Sequence, residues 1–129
     1  MKSLKPLATT LLLATMAASF TAQAAPDTKR GRVYYRMVCS VCHMEKLSAA
    51  ISPNSKTKAE WAAYFQADKH GKGKETVKYF FSKEYRNSIK AKNQAAAKYA
   101  DLPDAELMDD VKAFVTQGAK DSDTPTSSD

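Results

Sequence analysis

The chain has 129 residues, of which 43% are hydrophobic and 26% charged, with 20 Lys+Arg against 14 Asp+Glu for a formal net charge of +6. That length suffices for one small domain once an N-terminal leader is set aside, and it excludes a second domain of comparable size. The basic excess suits an acidic partner or an anionic membrane face through long-range steering, or is simply a solvated surface.

The chain opens MKSLKPLATTLLLATMAASFTAQA. Lys2 and Lys5 make a basic head, Leu7 to Phe20 an apolar middle, and Ala22-Gln23-Ala24 supplies small residues at a cleavage site. This is the pattern of a secretory signal peptide over residues 1–24, with an uncleaved anchor as the alternative reading. Its apolar part is short for a membrane span, so no transmembrane segment is expected in the mature chain, which would begin APDTKR. Such a protein is periplasmic or otherwise exported, which argues against nucleic acid as a partner. Residues 25–118 are the expected packed domain. The end, AKDSDTPTSSD (119–129), is expected to be a flexible polar tail because it has almost nothing to bury. A domain this small builds only a marginal core and calls for a disulfide, a metal or a large cofactor.

Asp27 or Thr28 can cap a first helix, with Val33, Tyr34, Met37, Val38 and Val41 on one stripe. Residues 44–56 contain Pro53-Asn54-Ser55 and read as a loop. Thr57-Lys58-Ala59-Glu60 fits a capping box opening a helix through Trp61, Tyr64 and Phe65, which Gly71 and Gly73 break. Further helices are expected around 76–81 and within 83–97. The last helix is the clearest: Asp101 caps it, Pro103 lies in its first turn, and Leu107, Met108, Val111, Phe114 and Val115 recur at helical spacing up to Gly118. No stretch alternates as a strand, so the expected fold is all-α.

Residues 39–43 read CSVCH, and they hold both cysteines and one of the two histidines of the whole chain. A Cys39–Cys42 disulfide suits an oxidising compartment but leaves the histidine unexplained. A thioredoxin-like redox pair needs a βαβ context that this sequence lacks. A zinc site of Cys39, Cys42, His43 and His70 is hampered because His43 directly follows Cys42. Covalent haem explains all three residues: two thiols add across the vinyl groups, and the histidine that follows offers an axial nitrogen. Attachment outside the cytoplasm also fits the leader.

GRVYYRMVCSVCH, with Gly31 and Tyr34-Tyr35 ahead of the cysteines, resembles the N-terminal helix of small mono-haem class I c-type cytochromes. YADLPDAELMDDVKAFV resembles their C-terminal helix. The resemblance implies four to five short helices around one covalently attached haem c per chain, with the two end helices crossing near each other. It also implies thioethers at Cys39 and Cys42 and a proximal iron ligand at His43. In that family a methionine before the last helix usually supplies the opposite ligand. Here the corresponding KNQAAAKY has alanine at 95–97. Met37 and Met44 flank the haem motif too closely, and Met108 belongs to the apolar stripe of the last helix, where methionine readily fills core space. His70, in QADKHGKGK, is the favoured distal ligand, beside glycines that ease the backbone near a bulky group. Met108, a lysine such as Lys90, Lys92 or Lys98, and an open or water-held position remain alternatives.

The expected function is an exported electron carrier, not an enzyme, which shuttles one electron between redox partner proteins. Lys69, Lys72, Lys74, Lys78 and Lys83 offer a docking rim for an acidic partner. The rival readings are a five-coordinate haem protein that binds a small gas and a haem subunit of a larger oxidoreductase.

Overall fold

A computed structural model describes residues 25–47, 51–71 and 75–127, together with Ser3. The expected leader over 1–24, Ser3 apart, lies outside the described residues, as do Lys72 and Lys74. The fold is all-α as expected, with no strand among the described residues. Helix α1 (Thr28–Tyr34) starts at Asp27, whose carboxylate accepts the Arg30 N–H at 3.0 Å. It runs on through a π-helical stretch (Tyr35–Ser40) into α2 (Val41–Leu47), so that one helical segment carries CSVCH.

The π stretch divides the expected apolar stripe. Tyr34, Tyr35 and Val38 are buried, whereas Met37 and Val41 are 36% and 42% exposed. A π turn takes one more residue than an α turn, so positions within and beyond it leave the face projected from a 3.6-residue period.

Helix α3 (Lys58–Ala67) begins with the expected capping box: Thr57 accepts the Glu60 N–H, and Glu60 reaches back to the Thr57 N–H. It ends earlier than the glycines, at Asp68 (φ 52°), a left-handed position that a short polar side chain tolerates. Residues 78–81, expected within a helix, form a 3-10 turn, because Ser82 turns extended there and caps α4 (Lys83–Ile89) through the Tyr85 N–H. The single helix expected within 83–97 is two: extended Asn93 separates α4 from α5 (Gln94–Lys98). Helix α6 (Asp104–Gln117) starts after Pro103 and not at Asp101, since a proline disfavours helical backbone in the residue before it.

Helices α1 and α6 cross in close contact. A Cβ on Gly31 would fall on the Asp110 backbone carbonyl, so glycine is what lets the two helices touch. Beside this crossing the Asp110 carboxylate, 1% exposed, accepts the Asp27 N–H at 2.7 Å and the Arg30 Nε–H at 2.5 Å. Arg30 Nη2 also meets Glu106 at 2.6 Å. Leu107, Val111 and Val115 of α6 pack with Tyr34, Tyr35, Trp61 and Phe81 in one core, and Met108 lies half-buried against it. Arg86 of α4 is fully buried, donating to the carbonyls of Ser82, Tyr99 and Leu102 and to the Asp104 carboxylate. It thereby ties α4 to the segment that leads into α6.

The polar segment after Gly118, expected as a loose tail, folds back as far as Thr126. Ala119 is fully buried, and the N–H of Lys120 donates to Lys56 O at 2.9 Å. The Asp121 carboxylate accepts the Lys58 N–H at 2.8 Å. Thr126 donates its N–H to Gly118 O and accepts the Asn54 N–H at 3.0 Å. Hydrophilic side chains say nothing about such main-chain pairing, which is where this segment finds its partners.

Candidate functional site

Cys39 lies in the π stretch, and Cys42 and His43 lie in the first turn of α2. All three are half-buried, and both cysteines are free thiols. Burial of the Cys39 thiol, with the neighbouring Cys42 adding to it, pushes its pKa up to about 12. The phenols of Tyr34, Tyr35, Tyr64 and Tyr85 are likewise pushed up, first by burial and then by nearby cysteine sulfur. Cys39 acts on all four. Tyrosines from α1, the π stretch, α3 and α4 therefore lie near the half-buried Cys39 thiol.

His70 reaches this region from the segment after α3. The left-handed turn at Asp68 and positive φ at Gly71 (46°) redirect the chain on either side of it. Its ring centre is 5.8 Å from that of His43, with the planes 72° apart. On its other side it packs on Phe80 at 4.5 Å. Phe80 is held in turn: its carbonyl accepts the Tyr34 hydroxyl at 2.5 Å, and its ring meets Tyr85 at 5.1 Å. Burial, reinforced by the charge His70 can carry, lowers the His43 pKa, so the ring is biased towards the neutral, ligating form.

The structure brings close together the two histidines that the sequence offers as candidate ligands. Two imidazoles bound to opposite sides of one metal stand about 6 Å centre to centre, given metal–nitrogen bonds of about 2 Å on each side. The observed separation matches that span. The other distal candidates are placed differently. Met108 packs into the core from α6. Lys90, Lys92 and Lys98 are exposed, and the Lys98 ammonium lies 5.6 Å from the ring centre of its neighbour Tyr99. The segment that resembles a methionine-bearing loop is α5, with Ala95 and Ala96 buried and Asn93 donating to the Met37 carbonyl at 2.8 Å. Its cap thus lies against the helical segment that carries CSVCH. Among the described residues no group of three or more His, Cys, Asp or Glu is placed to hold a metal ion.

The sequence offers Phe80 only as one of several aromatic residues suited to enclosing a large flat cofactor, without pairing it with His70. Asn93 is missed there, since it reads as an ordinary helix-capping residue. Of the lysines proposed for a docking rim, Lys69, Lys78 and Lys83 are exposed. Met37, Val41 and Met44 form an exposed apolar group beside the cysteines. No helix among the described residues is long and apolar enough to cross a membrane. Comparison of the chain with protein-family models, curated protein sequences and solved structures finds no match.

Proposed function

We propose that the chain is an exported one-electron carrier of c-type cytochrome character, holding one haem c through thioethers at Cys39 and Cys42 between His43 and His70. The observation that carries this reading is the pair of imidazoles with ring centres 5.8 Å apart and planes 72° apart, next to two free thiols spaced as CSVCH. When bound, the haem supplies an Fe(III)/Fe(II) couple. The chain's own residues do the rest. His43 and His70 would hold the iron, and two imidazole donors would favour electron exchange over ligand activation. Phe80, whose carbonyl accepts the Tyr34 hydroxyl, packs on His70, and buried Tyr34 and Tyr35 with half-buried Tyr64 and Tyr85 lie at the thiol end of the site. Imidazole in place of a thioether sulfur also favours a lower reduction potential. Exposed Lys69, Lys78 and Lys83 suit brief docking to an acidic partner, which rising ionic strength should weaken.

The test is the ferric optical spectrum of mature holoprotein, compared with a His70→Ala variant that still incorporates haem. A low-spin wild type and a high-spin variant support the bis-histidine carrier. Two identical low-spin spectra remove His70 and turn attention to a lysine or Met108. A wild type that is already high-spin and binds carbon monoxide rapidly would replace the carrier with a gas-binding protein.

A further inference from the structure

The π stretch at Tyr35–Ser40 interrupts the regular backbone ladder directly ahead of Cys42 and His43. Its effect is visible at Val41, whose N–H turns back to the Val38 carbonyl instead of reaching Met37 four residues earlier. The Met37 carbonyl takes a donor from far along the chain, the Asn93 side-chain amide, at 2.8 Å. The other end of the same amide is also committed, since Asn93 Oδ1 accepts the Ala96 N–H at 3.0 Å and caps α5. One end must donate and the other accept, so the two contacts agree on a single orientation of the amide. Helix α5, with Ala95 and Ala96 buried, lies against the π stretch.

We propose that Asn93 is a positioning residue: by clamping the Met37 carbonyl it holds the π turn open and sets the rotational phase at which Cys39, Cys42 and His43 leave the helix. The physical reason lies in the winding. A helix at 3.6 residues per turn advances about 100° per residue, so closing the π turn into α geometry would rotate everything beyond it by about that angle. Cys42 and His43 lie beyond the turn and Cys39 within it. Relative placement of the three therefore depends on keeping the extra residue in the turn. Irregular turns of this kind often mark functional positions in helices, and here the residue that stabilises one comes from α5. The clamp itself is independent of haem. Only its spectroscopic consequence rests on the function proposed above.

The decisive variants are Asn93→Ser and Asn93→Asp. Both keep an oxygen that can cap α5, but serine is too short to reach Met37 and aspartate has no N–H to give its carbonyl. Two readouts apply. In the full chain isolated without haem, alkylation rates of Cys39 and Cys42 are measured by mass spectrometry, with helix content checked by circular dichroism. The ratio of the two rates should change roughly fivefold in both variants, the population change that one ordinary hydrogen bond supports. In holoprotein, the ferric electron paramagnetic resonance g-values and the reduction potential should both shift from wild type. If either folded variant keeps the wild-type alkylation ratio and g-values, Asn93 is only a helix cap and the proposal is overturned. If the wild type carries no covalent haem after expression with a haem-attachment system, the electron-carrier reading falls, while the alkylation ratio still decides the clamp. If one variant does not fold, the other decides alone.

Discussion

His43 and His70 are the proposed iron ligands, and the residues around them are apolar or distant in sequence. Phe80 lies between the His70 ring and Tyr85, and its carbonyl is anchored by Tyr34 from the first helix. Phe80→Leu keeps most of the apolar bulk and removes the flat ring against which His70 packs. It should leave helix content unchanged and convert part of the ferric holoprotein from low to high spin, as read in the optical spectrum. Unchanged spin would mean that the backbone at Asp68 and Gly71 alone places His70. His43 also makes a pH prediction. Its pKa is lowered by burial and then by His70, so the unfolded chain binds the proton more readily than the folded one. Stability of the haem-free chain is therefore fully present above the ordinary histidine value of about 6.5 and declines as pH falls below it. Urea midpoints measured between pH 7.5 and 5.5 should show this decline as a slope that His43→Gln reduces. Equal slopes in the two proteins would show that His43 does not contribute.

Between elements, the contact of α1 with α6 depends on one missing side chain. At Gly31 an added methyl group would meet backbone, the Asp110 carbonyl and the Val111 nitrogen, which have no rotamer to escape into. Gly31→Ala should destabilise the protein by about 3 kcal/mol, the upper part of the usual range for overpacking, as measured by urea denaturation. A cost near zero would show that the helices can part without loss. This crossing was only partly legible. A glycine in a helical pattern ahead of CSVCH was visible, but its partner lies in α6, and no local pattern names a residue so far along the chain. The same contrast holds elsewhere. The Thr57–Glu60 capping box and the stripe of α6 rest on spacing within a few residues and appear in the sequence as they do in the structure. The π stretch does not, because its extra residue is held from outside the helix. Nor does the burial of Arg86, whose charge suggests a surface position until the Tyr99 and Leu102 carbonyls and Asp104 are seen around it.

At the scale of the whole molecule, the same distinction separates donor identity from donor placement. With two histidines in the chain, the sequence favours His70 as the partner of His43 and leaves Met108, a lysine or an open position as alternatives. The approach of the two histidines depends on two positive-φ residues and a 3-10 turn, features set by the meeting of α3, α4 and the aromatic core. The C-terminal segment is the opposite case: its composition suggests a loose end, yet its main chain closes the molecule. Gly118 and Lys120 connect the end of α6 to Thr126 and to Lys56, and Thr126 connects in turn to Asn54. That loop contains Pro53, whose carbonyl accepts the Trp61 indole N–H at 2.8 Å. The segment therefore supports, through one loop, the tryptophan that packs on Tyr35 and Tyr64. Ending the chain after Gly118 would remove these backbone hydrogen bonds together with the buried Ala119. At about 1 kcal/mol net for each hydrogen bond, the expected loss is about 3 kcal/mol. Trp61 is the one tryptophan in the sequence, so its emission in the haem-free protein reports the loop directly. Truncation should lower the urea midpoint and shift Trp61 emission to longer wavelength already in the folded state, as water reaches the indole. A lower midpoint with unchanged emission would mean that the segment stabilises α6 alone and that Pro53 holds Trp61 without its help.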